Sequence, residues 1–239
     1  MIKGKIANIF ALMAGVLLFA SGAQANVLDN ASFETPDASS GDIAGAGAPW
    51  GVFNSNFTSS NLANSPPSFF NPVALDGNQV QKQFGADAGL FQDAAATEGE
   101  LWEASAWAIS WTGDPFNNIA LVQLFFLDDA DTNLCDPGGF GACAQVDADS
   151  LGNGTFTLTP STGENGEADW TLMSVSAQAP ADTTKARIQL LHVLSDGTPS
   201  NGSVFWDAAS MQVVPVPAAV WLFGSALGLL AVARRRISA

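Results

Sequence analysis

The sequence predicts an all-β fold, a sandwich of two sheets, on three observations. Short runs rich in Val, Phe, Trp and Thr are separated by clusters of Gly, Pro, Asn and Asp at the spacing of strands and turns. Several runs alternate with a period of two, as a half-buried strand does. No long segment between the two termini has helical periodicity.

In chain order, residues 26–34 read as an opening strand, 35–49 as a loop of Gly, Ala, Ser and Asp, and 50–53 as the start of a second strand. Residues 54–72 are a long polar, Pro-containing segment that holds Phe57, Phe69 and Phe70. Residues 79–84 alternate as Gln-Val-Gln-Lys-Gln-Phe, and 90–93 form the next short strand. After the Glu98-Gly99-Glu100 turn, residues 101–111 place Leu101, Glu103, Ser105, Trp107, Ile109 and Trp111 on one face. Trp102, Ala104, Ala106, Ala108 and Ser110 take the other. Residues 119–127 are almost continuously apolar, as expected of a central strand. An Asp-rich, Gly-rich loop is expected from 128 to 149. Strands are then expected at 155–159, 169–177, 185–193 and 204–213.

The two ends read differently. Residues 1–25 have a Lys3 and Lys5 n-region, an apolar stretch and an Ala23-Gln24-Ala25 small-x-small site. That is the pattern of a secretory signal peptide cut between Ala25 and Asn26. At the other end Val214-Pro215-Val216-Pro217 precedes sixteen uncharged residues and then Arg234-Arg235-Arg236. The apolar run is near the about 20 residues of a membrane helix, with the arginines on the cytoplasmic side. This tail resembles the PEP-CTERM sorting signal, with Val216 where the family's name has an acidic residue. The resemblance implies processing by a membrane-embedded exosortase and delivery to the cell surface or extracellular matrix. The expected organisation is a signal peptide (1–25), a β-sandwich domain (26–213) and a sorting tail with a transmembrane helix (214–239).

Charge narrows the partners. Lys3, Lys5, Arg234, Arg235 and Arg236 lie in the terminal segments, so only Lys82, Lys185 and Arg187 face the 23 acidic residues between them. Nucleic acid is excluded on this balance, because binding it needs cations against phosphates. Anionic lipid and acidic polysaccharide are disfavoured for the same reason. The acidity serves colloidal repulsion outside the cell or cation binding. Cys135 and Cys143 are expected to pair in an oxidising compartment and to pin a Gly-rich hairpin tip. Closing so short a loop adds about 2–3 kcal/mol.

A second resemblance covers nearly the whole domain. Asn30-Ala31-Ser32-Phe33-Glu34 is similar to the opening of jelly-roll, galactose-binding-like domains, several carbohydrate-binding modules among them. Gly89-Leu90-Phe91-Gln92, the Glu98 to Trp107 stretch, Asp169-Trp170-Thr171-Leu172 and Phe205-Trp206-Asp207-Ala208-Ala209-Ser210-Met211 follow in the family's order. The resemblance implies a two-sheet jelly roll whose first and last strands lie close together. It also implies a structural calcium near those strands, with Glu34 and Asp207 at the matching positions. No other cofactor is called for.

Catalysis finds no support in the residues. Glycoside hydrolysis needs two carboxylates about 5 or 6.5–9.5 Å apart, and Glu100 and Glu103 fall on opposite faces of one strand. His192 reads as a strand residue, and no Gly-x-Ser-x-Gly motif is present. Asp129-Ala130-Asp131-Thr132-Asn133 starts like a calcium loop, but Leu134 and Phe140 stand where Gly and Glu belong. The aromatic residues that could stack on a sugar are Trp50, Phe53, Trp102, Trp107 and Trp111, with Phe69 and Phe70 on a loop; Trp102 and Trp107 are the ones chosen, although most aromatics of a sandwich are core. The expected function is therefore a non-catalytic exported surface or matrix protein associated with exopolysaccharide. The alternative is a carbohydrate-binding module with a defined glycan ligand.

Overall fold

A computed structural model describes residues 25–38, 43–54, 56–60, 73–112, 116–149, 154, 156–158, 160–161, 169–195 and 202–215. Asn26–Val213 is one compact unit. The predicted signal peptide up to Gln24 and the tail from Val216 onward, with its apolar helix and Arg234, Arg235 and Arg236, lie outside the described residues.

The described strands are β1 (Ile43–Ala44), β2 (Gly51–Phe53), β3 (Asn56–Ser60), β4 (Gln79–Phe84), β5 (Ala88–Ala95), β6 (Leu101–Trp111), β7 (Ile119–Leu127), β8 (Ala144–Asp149), β9 (Phe156–Thr157), β10 (Pro160–Ser161), β11 (Thr171–Gln178), β12 (Lys185–Val193) and β13 (Ser203–Val213). They build two sheets, and the domain is a two-sheet jelly-roll sandwich. The first sheet has the order β1-β3-β4-β13-β6-β10, with β11 also on β6; the second has the order β2-β5-β12-β7-β8-β9.

Period-two alternation decides which side chains meet between the sheets. On β6 Trp102, Ala104, Ala106 and Ala108 turn inward, and on β12 Ala186, Ile188, Leu190 and His192 do. They join Val122, Leu124, Phe126, Val204, Trp206 and Met211 in the main core. The alanine stripe of β6 leaves the volume that indoles such as Trp206 and Trp102 occupy. A smaller cluster sits on the opposite face of the first sheet: Val80, Ile109, Trp111, Trp170 and Phe205, with Trp107 packed against them.

Several expectations need correction. Residues 26–34 do not form a strand. Asn30 and Phe33 have positive φ (50° and 60°), which breaks a ladder. The segment nevertheless runs beside β13: Val27 N donates to Met211 O and Ala209 N donates to Ala31 O, both at 2.9 Å. The domain's opening segment and its last strand thus lie together, as the resemblance implies. The expected 35–49 loop and 54–72 segment contain β1 and β3, whose short polar or two-residue runs carry little periodic signal. The loop expected to reach residue 149 ends in β8, where Asp147 and Asp149 obscured the strand.

Candidate functional site

The outward face of the second sheet carries a cleft of about 680 Å3, within the range of small-ligand sites. Strand register lays out this face row by row, and Gln123, Phe125, Arg187, Gln189, Leu121 and Leu191 of these rows line the cleft. Gln189 of β12 pairs with Gln123 of β7, which pairs with Gln145 of β8. On the other side Gln189 pairs with Phe91 of β5. The central row is thus an aromatic ring followed by three side-chain amides. The next row is Asp93, Arg187 and Phe125, and the one on the other side is Gly89, Leu191 and Leu121. Residues of one row point the same way because the pleat alternates.

The polar groups of this face are held in place. Arg187 donates from Nε and Nη2 to the two Asp93 oxygens at 2.6 and 2.8 Å, a bidentate fork. Its guanidinium lies 4.3 Å from the Phe91 ring centroid. The hydrogen bond to Asp93 raises the Arg187 pKa above its ordinary value. Gln123 Nε2 donates to Gln145 Oε1 at 3.0 Å. At the rim, Lys185 Nζ donates to Asp131 Oδ1 at 2.6 Å; that bond holds the Asp131 carboxyl below its usual range. Gly89 has no side chain because the Phe53 ring and Leu191 already fill the space a Cβ would need. Phe53 and Leu191 therefore wall the cleft at one end, with Phe125 and Phe140 toward the other.

The two tryptophans predicted to meet a ligand lie elsewhere, whereas His192 and, from the acidic loop, Asp131 and Asn133 border the cleft. Trp102 is 1% exposed in the intersheet core, and its indole N–H donates to Glu100 Oε2 at 3.1 Å. A sugar cannot reach it. Trp107 is half-buried on the outer face of the first sheet, away from the cleft. His192 is buried, with Nε2 2.9 Å from Asn118 Nδ2 and its ring beside Phe116; burial lowers its pKa. The Cys135–Cys143 disulfide is present. In the acidic loop Asp128 Oδ1 accepts the N–H groups of Ala130 and Thr132, and Asn133 Oδ1 accepts that of Cys135. Asn26, beyond the predicted cleavage point, anchors on β13: its side chain donates to Ala209 O and accepts from Met211 N. Val214 and Pro215 of the sorting motif follow β13 directly.

Glu34 and Asp207 come together on one turn. Glu34 Oε1 accepts the backbone N–H groups of Asn78 and Gln79, at 2.9 and 2.8 Å. Asp207 Oδ2 accepts those of Leu75 and Asp76, at 2.8 and 3.0 Å. The two carboxylates clamp residues 75–79 from the opening segment and the closing strand. Asp207 sits at a register shift of β13, next to Ala208 with φ 44°, and is fully buried. Burial pushes its carboxyl up to about 7, against the N–H groups that favour the charged form, and the nearby Asp76 charge adds to the rise. Among the described residues no group of three or more His, Cys, Asp or Glu side chains is arranged to hold a metal ion.

No family model matches the chain, and no curated protein sequence matches it. Solved structures share its backbone course. A carbohydrate-binding module, TmCBM61, solved with β-1,4-galactotriose is 14% identical with a TM-score of 0.45, over 80% of this chain and 99% of that one. A xylan-binding domain from CBM 22 is 12% identical with a TM-score of 0.46, over 80% and 97%. The enzymatically active domain of the Bacteriophage CBA120 tailspike protein 4 is 12% identical with a TM-score of 0.47, and the 79% of this chain that aligns spans 21% of that one. At this identity and TM-score the likenesses concern the backbone alone.

Of the cleft's residues, Phe53 was a stacking candidate in the sequence, Asp131, Asn133, Phe140 and His192 were considered there for other roles, and Gln123 and Gln189 were given no binding role. Two signals were there to find: Gln123 interrupts an otherwise apolar run, and Arg187 is one of three basic residues between the termini. Only the pairing of β7, β12 and β8 brings Gln123, Gln189 and Gln145 into one row.

Proposed function

We propose that the second sheet's outer face is a non-catalytic glycan-binding site. The observation that carries the reading is the pair of neighbouring amides in the cleft, Gln189 and Gln123, set between the Phe53 and Phe125 rings, with Gln145 of the next strand accepting from Gln123. A sugar ring has hydroxyls at its rim and C–H groups on its faces. Amides serve the hydroxyls as paired donors and acceptors, and aromatic faces cover the C–H surface. The likeness to glycan-binding modules is of fold alone and adds nothing to this argument. Calorimetry with the full chain in detergent against neutral oligosaccharides tests it. Binding that is lost in Gln189→Ala supports the site, and no heat with any glycan refutes it.

The ends of the sequence support export and sorting: a secretory signal cut after Ala25, exosortase processing of the Val214-Pro215-Val216-Pro217 tail, and retention in or release to exopolysaccharide. Mass spectrometry of the surface form tests this. An intact Arg234-Arg235-Arg236 end refutes processing.

A structural calcium would be held by Glu34 and Asp207. Carboxylate oxygens suit that ion, and a divalent charge would offset the burial that opposes ionised Asp207. The role is to tighten the clamp on residues 75–79. Raised melting temperature with calcium, reversed by chelator, is the expected result; identical melts with and without calcium refute it.

A further inference from the structure

The disulfide loop presents one residue differently from the rest of the fold. Phe140 is 96% exposed, whereas Phe33, Phe116, Phe126 and Phe205 are fully buried. It is also one wall of the cleft on the second sheet.

The loop is held so that Phe140 stays there. Both of its ends are tied to β7: Leu134 N donates to Phe126 O, and Cys143 N to Leu124 O, each at 2.9 Å. The Cys135–Cys143 bridge closes the base. Inside it, Asp136 O accepts from Gly139 N at 2.9 Å and Asp136 Oδ2 from Gly141 N at 3.0 Å. Asn133 Nδ2 crosses from outside to donate to Gly141 O at 2.9 Å. Gly138 has φ +84°, and a Cβ on Gly139 would collide with the Asp136 carboxylate. Every polar tie serves the bend, and the bend carries a large apolar ring into water. A loop fixed in this way loses little freedom when a ligand meets it.

The cations near the ring restrict what the ligand is. Arg187 is matched by both oxygens of Asp93, and Lys185 by Asp131. The face offers a ligand hydrogen-bond donors and aromatic surface with no surplus positive charge.

We propose that Phe140, preorganised by the Cys135–Cys143 bridge, is the affinity-determining wall of the cleft and stacks on the face of an uncharged sugar ring. This rests on the glycan-binding reading above. The bridge acts by holding the ring in register with the Gln189 row, so its removal weakens binding even where the domain stays folded.

Isothermal titration with the full chain in detergent tests the proposal. The probes are neutral xylo-, gluco-, manno- and galacto-oligosaccharides, with an oligouronate as the charged control. Phe140→Ala is expected to weaken the best neutral ligand about tenfold or more with an unchanged melting temperature, and Phe140→Trp to keep binding. The Cys135→Ser/Cys143→Ser double variant is expected to lose affinity likewise, and circular dichroism checks its fold. Wild-type binding with undiminished affinity in Phe140→Ala overturns this inference and leaves the cleft reading standing. Tighter binding of the oligouronate overturns the uncharged ligand. No binding of any glycan by the wild type overturns both readings.

Discussion

The two sheets treat their outer faces in opposite ways. The first sheet sets Trp107, Ile109, Trp111, Trp170 and Phe205 on its outer face and covers part of them with Ala74 and Leu75; the Trp170 indole N–H donates to Val73 O at 3.2 Å. The second sheet mixes Phe91 and Phe125 with Arg187, Asp93 and a row of glutamines, and leaves a cleft above Phe125, Arg187, Gln123 and Gln189. An aromatic residue covered by its own chain contributes to stability. The same apolar area interleaved with oriented polar groups, and left open, is suited to a ligand. Among the described residues the tryptophans pack in the main core or against the first sheet's outer cluster, and the site is marked by Phe beside Gln and Arg.

The largest expected effect that tests this contrast is in the core. Trp102→Ala removes a fully buried indole and leaves Glu100 without that donor. A loss of about 3–5 kcal/mol is expected, read by denaturant unfolding. Glycan affinity per folded molecule should not change; a variant that keeps its stability and loses binding would reverse the assignment of the two faces.

Next comes the clamp. Between about pH 4 and 7 the folded chain keeps a proton on Asp207 that the unfolded chain has released. Stability from this group is therefore greatest at low pH and falls as pH rises through that window. Melting temperatures across the window should show the fall in calcium-free buffer and a flatter profile in Asp207→Asn. A profile identical in both proteins would mean that Asp207 titrates normally.

Within the cleft, Arg187→Ala should cost about tenfold in glycan affinity, or about 1.4 kcal/mol, because it frees Asp93 and uncovers Phe91. Trp107→Ala, on the other sheet, should leave affinity unchanged. The smallest effect belongs to the rim. Lys185→Ala breaks an exposed pair with Asp131, and the melting temperature should hardly move, because solvent screens such a pair. A larger change in thermal unfolding would show that the pair holds the acidic loop.

The alternation of residues 79–84, 101–111 and 185–193 was legible because each strand has one face in the core, and period two follows from that burial. β8 was hidden, since the acidic residues Asp147 and Asp149 make it look like loop. β1 and β3 lie in stretches too polar or too short to carry a pattern. The tryptophans drew attention as ligand platforms because residue type alone does not say which face is covered.

The sequence by itself determined the all-β class, the alternating faces of the long strands and the Cys135–Cys143 pairing. These depend on local alternation and on residue chemistry, which are written along the chain. The tertiary structure alone decided which sheet is covered and which is open, that Gln189, Gln123 and Gln145 form one row, and that Phe140 lines the same cleft as Gln189 and Gln123. Those facts depend on strand order and register between segments distant in sequence. A one-residue change of register would turn each side chain of a strand to the other face.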